Sequence, residues 1–170
     1  TLLQGLPKLK FISLFGSCPH IDIQACSDHG VLVCAGKRSN APSFAAAEHT
    51  WALIMAAAKN IPQQMQNLQN GIWQQGLARG LFGRRLGLYG YGRIAKQVAD
   101  YAKAFNMQVE WWGSEQGRAR AKTDGRAVAK SRATFFAEND IVSVHLRLTS
   151  ATKGVITAAD LGKMKSDSLF

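Results

Sequence analysis

The stretch Gly87-Leu88-Tyr89-Gly90-Tyr91-Gly92-Arg93-Ile94-Ala95 constrains this chain more than any other. It reads as an apolar strand that runs into a glycine turn and then opens a helix. Leu86, Leu88 and Tyr89 give the upstream side strand character. Ile94, Ala95, Val98, Ala99, Ala102 and Phe105 recur downstream at helical spacing. Such a turn suits a dinucleotide pyrophosphate. Gly90 permits the tight turn, Gly92 has no side chain to block the phosphates, and the small Ala95 lets helix and strand pack closely. The amides of the first helical turn then face the anion, with the positive end of the helix dipole behind them. The alternative is a plain strand–turn–helix with no ligand, and the flanks favour the first reading.

The rest of the chain repeats this alternation. Strands are expected at residues 10–15, 31–34, 86–89, 108–112 and 141–145, and helices at 21–28, 44–60, 93–105 and 117–129. Ser43 is a candidate cap for the long second helix, which is apolar almost all round and so is expected to be buried, between domains or between subunits. Pro62 should kink or restart it, Gly71 should end the continuation, and Trp73 should anchor the crossing into the next unit. A short segment at 133–137 precedes the last full strand. Thr157 and Asp160 have the spacing of a capping box ahead of Leu161 and Met164. Ser168-Leu169-Phe170 looks like the start of a further strand. Strands that alternate with helices imply an α/β fold, with a parallel sheet covered on both faces.

Bulk properties remove several function classes. The longest apolar run, residues 44–55, is broken by Glu48, His49 and Thr50, which argues against a membrane span. Cys18, Cys26 and Cys34 are odd in number and no Cys-x-x-Cys or His-x-x-x-His pair exists, so reduced thiols of a cytoplasmic protein are expected and no metal site. The formal net charge of +10 requires an anionic partner, a solvated basic face or an acidic remainder. Arg118, Arg120, Lys122, Arg126, Lys130 and Arg132 crowd one segment, with Asp124 the only acid among them. These cations are not interleaved with aromatics, which weighs against a nucleic-acid platform.

The ordered landmarks together resemble the D-isomer-specific 2-hydroxyacid dehydrogenases. They are Leu6-Pro7-Lys8-Leu9-Lys10-Phe11-Ile12, His20-Ile21-Asp22, Gly30-Val31-Leu32-Val33, Ala46-Ala47-Glu48-His49-Thr50, Gly71-Ile72-Trp73 and Phe82-Gly83-Arg84-Arg85-Leu86-Gly87. After the glycine turn come Asp140-Ile141-Val142-Ser143-Val144-His145-Leu146-Arg147-Leu148-Thr149 and Leu161-Gly162-Lys163-Met164-Lys165. The resemblance runs over essentially the whole chain. It implies a doubly wound sheet of Rossmann type, incomplete, with part of a smaller α/β substrate domain. Residues 1–42 would end the substrate domain, and residues 43–170, crossing helix included, would form the NAD(P)-binding domain. The crossing region implies a homodimer.

The chemistry so implied is hydride transfer between a nicotinamide and C2 of a 2-oxo or 2-hydroxy acid. In the family an arginine holds the substrate carboxylate, and a histidine oriented by an acid moves the proton. The resemblance sets all three beyond Phe170, so no catalytic residue is expected in this chain and the isolated chain is expected to show no turnover. Gly90, Tyr91, Gly92, Arg93 and Ile94 would hold the cofactor's pyrophosphate, and His145, Leu146 and Thr149 would lie beside the cofactor, His145 through its backbone. Gly16, Ser17 and Cys18 occupy the place where the family presents amides to the substrate carboxylate, although a plain strand-end turn fits them equally. The same resemblance includes co-repressors that use this fold as a nucleotide-dependent scaffold without turnover, which is the alternative function.

The end of the second cofactor-domain strand bears on the choice between NAD and NADP. An NAD-selective site places an acid there to bind the ribose diol. Here the position falls on or near Gly113, and Glu115 lies beyond it. Gly113 and Ser114 would leave room for a 2′-phosphate, with Arg118 or Arg120 to pair with it. The opposing possibility is that Glu115 reaches back to the ribose while the arginines face solvent.

Overall fold

The computed structural model describes residues 2–14, 20–36 and 44–170. The chain divides into two compact units, Thr1–Ala41 and Pro42–Phe170. In the first, a 3-10 turn at Leu2–Gly5 precedes strand β1 (Phe11–Leu14), helix α1 (Ile23–Asp28) and strand β2 (Leu32–Ala35). The strands pair in parallel, with Phe11 opposite Leu32 and Leu14 opposite Ala35. The Asp22 carboxylate accepts from the Ala25 amide at 2.9 Å and so starts α1 two residues later than the apolar pattern suggests. Cys26 and Val31 are buried, whereas Phe11 and Leu32 remain exposed.

The second unit begins with two helices, α2 (Phe44–Ala58) and α3 (Ile61–Gln69). Asn60, in the left-handed region at φ 51°, separates them, and Pro62 sits in the first turn of α3, where its missing N–H leaves no bond unmade. Next come β3 (Arg85–Tyr89), α4 (Arg93–Ala104), β4 (Gln108–Trp112), α5 (Glu115–Thr123), α6 (Arg132–Glu138), β5 (Ile141–Val144) and α7 (Ala158–Leu161). The three strands form a parallel sheet in the order β4-β3-β5.

Strand periodicity divides the core in two. Leu86 and Leu88 of β3 and Ile141 of β5 point to one face, where they meet Ala95, Val98 and Ala102 of α4 and, behind them, α2. Tyr89 and Val142 point to the other face, against Phe135 and Phe136 of α6. Leu86, Leu88, Val98, Phe135 and Phe136 are fully buried. At roughly 1.5–3 kcal/mol for each large apolar side chain removed from water, these residues dominate the stability of the unit. The α/β sheet with helices on both faces matches the expected architecture.

Polar contacts fix the far side of the sheet. Arg132 of α6 makes a two-pronged ion pair with the buried Asp160 of α7, at 2.8 Å and 2.7 Å. Asp160 also closes the Thr157 capping box. The Arg132 guanidinium, aided by the Thr157 hydrogen bonds, holds the Asp160 carboxyl far below the usual carboxylate range against the opposing cost of burial.

Two sequence expectations need correction, those for Trp73 and for the helix over 117–129, and α2 within this single chain is covered on one side. The apolar helix α2 buries only Ala47, Ile54 and Ala58, and Phe44 and Leu53 are half exposed. One stripe suffices to dock on α4, where Trp51 packs against Tyr101 and Phe105 with ring centroids 6.2 Å and 5.0 Å away. Trp73 does not anchor a crossing, being 76% exposed. The helix expected over 117–129 starts at Glu115 and stops at Thr123. Gly125, at φ +68°, turns the chain back so that Val128 bridges Trp111 alongside β4. The expected further strand is present as a parallel bridge from Leu169 to Ile141. Ser43 lies outside the described residues.

Candidate cofactor site

The carboxyl ends of β3, β4 and β5 converge on Gly90. Its amide donates to the Trp112 carbonyl at 2.8 Å, and the His145 amide donates to the Tyr89 carbonyl at 2.8 Å. Gly90 has φ +112°, and a Cβ there would stand 2.6 Å from the His145 carbonyl oxygen and 3.1 Å from Leu146. Only glycine fits that conformation and that space. Gly113, at φ +149°, lies on the other side. A Cβ on it would stand 3.4 Å from the Gly90 amide nitrogen. The two glycines let the strand ends close together.

Gly92 differs from both. It is the extended residue that precedes α4, no side chain caps the helix at this position, and the space where its Cβ would stand is open to at least 4 Å. The first amides of a helix have no partner within the helix. The open space beside Gly92, with the helix dipole behind it, leaves room for a phosphate at this end of α4. The site residues therefore suit a dinucleotide.

The residues named from the sequence take different stations around this turn. Arg93 is exposed at the first position of α4, and Ile94 is half-buried against the core. Tyr91 is only 7% exposed and its ring turns inward to Trp111, 4.7 Å away and edge-on, so its backbone alone faces the turn. Ser114 caps α5, its hydroxyl oxygen accepting from the Gly117 amide at 3.2 Å. Arg118 folds back from α5. It donates to the Gly113 carbonyl at 2.6 Å and lies 4.3 Å from the centroid of the Trp112 ring. Arg120 points elsewhere, donating to the Tyr91 carbonyl at 3.3 Å. Glu115 is exposed in the first turn of α5.

Beyond β5, Leu146 packs into the second core cluster and lines a cleft of about 210 Å³ with Val144, Arg147, Leu148 and Thr152. Thr149 is exposed on the rim, its amide donating to the Thr152 hydroxyl at 2.8 Å. The His145 imidazole hydrogen-bonds the Ser143 hydroxyl at 3.1 Å, and burial lowers its pKa. Gly16, Ser17 and Cys18 lie outside the described residues. Among the described residues no group of three or more His, Cys, Asp or Glu could hold a metal, and no helix is long and apolar enough to cross a membrane.

Residues 51–170 match the family model described as D-isomer specific 2-hydroxyacid dehydrogenase, NAD binding domain. The chain belongs to the D-isomer-specific 2-hydroxyacid dehydrogenase family. Among solved structures of this family, it is 47% identical, with a TM-score of 0.93, to a Ralstonia solanacearum oxidoreductase provisionally assigned as a D-3-phosphoglycerate dehydrogenase. The match covers 99% of this chain and 53% of that one. A phosphoglycerate oxidoreductase from Vibrio cholerae is 44% identical, with a TM-score of 0.91, over 99% of this chain and 54% of that one. A hydroxypyruvate reductase from Thermotoga maritima is 31% identical over 96% of this chain and 53% of its own length. The chain thus spans about half the length of these dehydrogenase-family relatives.

The family's NAD-binding fold explains why the site gathers at the carboxyl ends of the strands. Sequence reasoning missed two partners of the glycine turn, Lys96 and Asp124. The signal for Asp124 was its isolation as an acid within a basic run. Trp112, which supports Arg118, carried no signal beyond its place in a strand.

Proposed function

We propose that this chain is the dinucleotide-binding portion of an NAD(P)-dependent dehydrogenase acting on small 2-hydroxy or 2-oxo acids. One observation carries the reading most strongly: no side chain caps α4 at Gly92, the space beside that glycine is open, and Gly90 has no room for a side chain against the His145 carbonyl. The nicotinamide, when bound, exchanges a hydride with C2 of the acid. Residues 91–94 would hold the pyrophosphate through their amides, and Gly90, whose own amide is bonded to the Trp112 carbonyl, would shape the turn beneath it. His145, Leu146 and Thr149 would border the rest of the cofactor. The relatives named for phosphoglycerate and hydroxypyruvate support short acids as the substrate class.

NADP is our preferred cofactor. Gly113 stands where an NAD-selective site has a carboxylate, and Arg118 is held at that strand end by Trp112. A guanidinium already laid flat on an indole loses little freedom on pairing with a 2′-phosphate. Arg118 stands at the Gly113 strand end whereas Arg120 reaches the Tyr91 carbonyl of the neighbouring turn, so the selectivity is assigned to Arg118 by position.

In the same reading, residues 1–42 end a substrate-binding domain, with Gly16, Ser17 and Cys18 offered to the substrate carboxylate, and residues 43–170 form the cofactor domain. A homodimer is supported by the apolar residues left exposed on α2, α3 and the segment after them, Leu53, Met65, Leu68, Trp73 and Leu77 among them. The free thiols of Cys26 and Cys34 support a reducing, cytoplasmic setting.

The test is a fluorescence titration of the chain with NADPH and NADH. Saturable binding that favours NADPH is expected. Arg118→Ala should weaken NADPH about ten-fold and leave NADH nearly unchanged, about one charge-assisted hydrogen bond in size. Equal weakening of both would remove the 2′-phosphate assignment. Binding of neither by a cooperatively melting chain would remove the dinucleotide reading.

A further inference from the structure

We propose that Tyr91, Asp124, Lys96 and Arg120 form a brace that holds the glycine turn in its binding conformation. The inference rests on the cofactor reading above and extends it to side chains that no ligand would touch.

The side chain between the two glycines leaves the site. The Tyr91 hydroxyl donates to the Asp124 carboxylate at the end of α5. The same carboxylate oxygen accepts from the Lys96 ammonium at 2.8 Å, so α4 and α5 meet on one acid. Lys96 also lies 4.3 Å from the centroid of the Tyr91 ring. Arg120 closes the arrangement from the other side by donating to the Tyr91 carbonyl. The turn residue is therefore held at both its hydroxyl and its carbonyl, and Trp111 packs edge-on against its ring. Helix α5 packs close by, Gly117 lying at contact distance from the Tyr91 side chain.

A loop built on glycine has much conformational freedom to lose when it orders around a phosphate. Holding Tyr91 at three points removes that freedom before the ligand arrives, which is pre-organisation. The brace keeps its charges across the neutral range. The hydrogen bonds from Lys96 and then Tyr91 hold Asp124 below its usual pKa, and the bond to Asp124 raises that of Lys96. Tyr91, Asp124, Lys96 and Arg120 are positioning residues, and the brace does not discriminate between cofactors because it acts on the pyrophosphate turn alone.

The experiment compares Tyr91→Phe, Asp124→Asn and a control, Asp100→Asn, which breaks the exposed Asp100–Lys103 pair on α4. Tyr91→Phe keeps the ring packed on Trp111 and so preserves the fold. The dissociation constants of NADH and NADPH should both rise about five-fold in the first two variants, their ratio unchanged and the control unaffected. Unchanged constants in folded variants, even with a lowered Tm, would make the cluster merely structural and overturn the proposal. A loss confined to NADPH would overturn it too, by assigning these residues to the 2′-phosphate. Should the unaltered chain bind neither dinucleotide, the cofactor reading fails separately. The brace is then read by hydrogen exchange at the amides of residues 90–94. Exchange about five-fold faster in Asp124→Asn supports the brace, and unchanged exchange overturns it.

Discussion

The turns β3–α4 and β4–α5 are built alike and left in opposite states. Each runs from a strand through a glycine of positive φ, Gly90 or Gly113, into a helix. At α5 the amino end is closed from within, because the Ser114 hydroxyl accepts from the Gly117 amide. At α4 the preceding residue is Gly92, which offers no side-chain cap. A helix end costs free energy when its amides lack partners. The protein closes one helix end with a side chain and sets no more than a glycine's hydrogen beside the other, where the space is open. The pair teaches that a glycine before a helix is not in itself a binding site. The residue at the helix cap makes the difference, serine in the closed turn and a second glycine in the open one.

Substitution at the two glycines of the open turn should break the comparison most visibly. In Gly90→Ala the new methyl would collide with the His145 carbonyl at a φ that alanine rarely adopts, so a loss of about 3 kcal/mol in urea unfolding is expected together with loss of dinucleotide binding. In Gly92→Ala the methyl enters open space. Stability should stay within about 0.5 kcal/mol, while the affinity for either cofactor falls more than about ten-fold. Stable Gly92→Ala protein with unchanged affinity would mean that the open space does not receive the phosphates.

Removing the cap at the closed turn tests the other side. Ser114→Ala should lower stability by about 1 kcal/mol, the usual worth of a side-chain cap. NADH affinity should hardly change, because the amides of α5 are not the ones offered to the ligand. A large fall in affinity with little change in stability would show that the second turn is open in solution.

The smallest expected effect is one of pH. Burial keeps the His145 imidazole neutral in the folded protein, whereas the unfolded chain protonates it near the ordinary value of 6.5. The unfolded state therefore binds the extra proton as pH falls. Stability should decline on acidification from about that value down to the depressed folded pKa, and level off below it. Urea midpoints from pH 7.5 to 5 read the slope, and His145→Gln should flatten it. An unaltered slope in that variant would exclude His145 as the source.

Much of the fold was legible in the sequence. The alternation of β3, β4 and β5 with their helices comes from periods of two and 3.6, and those strand bounds agree to within a residue. The Thr157–Asp160 cap was readable because the capping box is local, depending on four residues and no tertiary contact. The helix expected over 117–129 failed because helical period says nothing about where a chain turns back to pair with a strand, and the bridge between Trp111 and Val128 is a long-range pairing. Helix α2 is a different case. Apolarity all round indicates a helix that needs covering, but does not say which elements of the same chain cover it.

The candidate site divides in the same way. Gly90, Gly92, Gly113 and His145 were visible from motif order, because backbone geometry requires particular residues at particular steps along the chain. The assignments of Arg118 and Arg120 were not separable by sequence, being two residues apart on one short helix. Their side chains reach different carbonyls, those of Gly113 and Tyr91, only because β4 and the glycine turn lie side by side. The sequence by itself determined where the chain turns, which residues can turn there, and the family to which those turns belong. Tertiary structure alone decided that Arg120 reaches the Tyr91 carbonyl and that Tyr91 faces inward onto Asp124 and Lys96. Those outcomes depend on contacts between residues about 30 apart, and such distances are set by the packing of the sheet and its helices rather than by any local pattern.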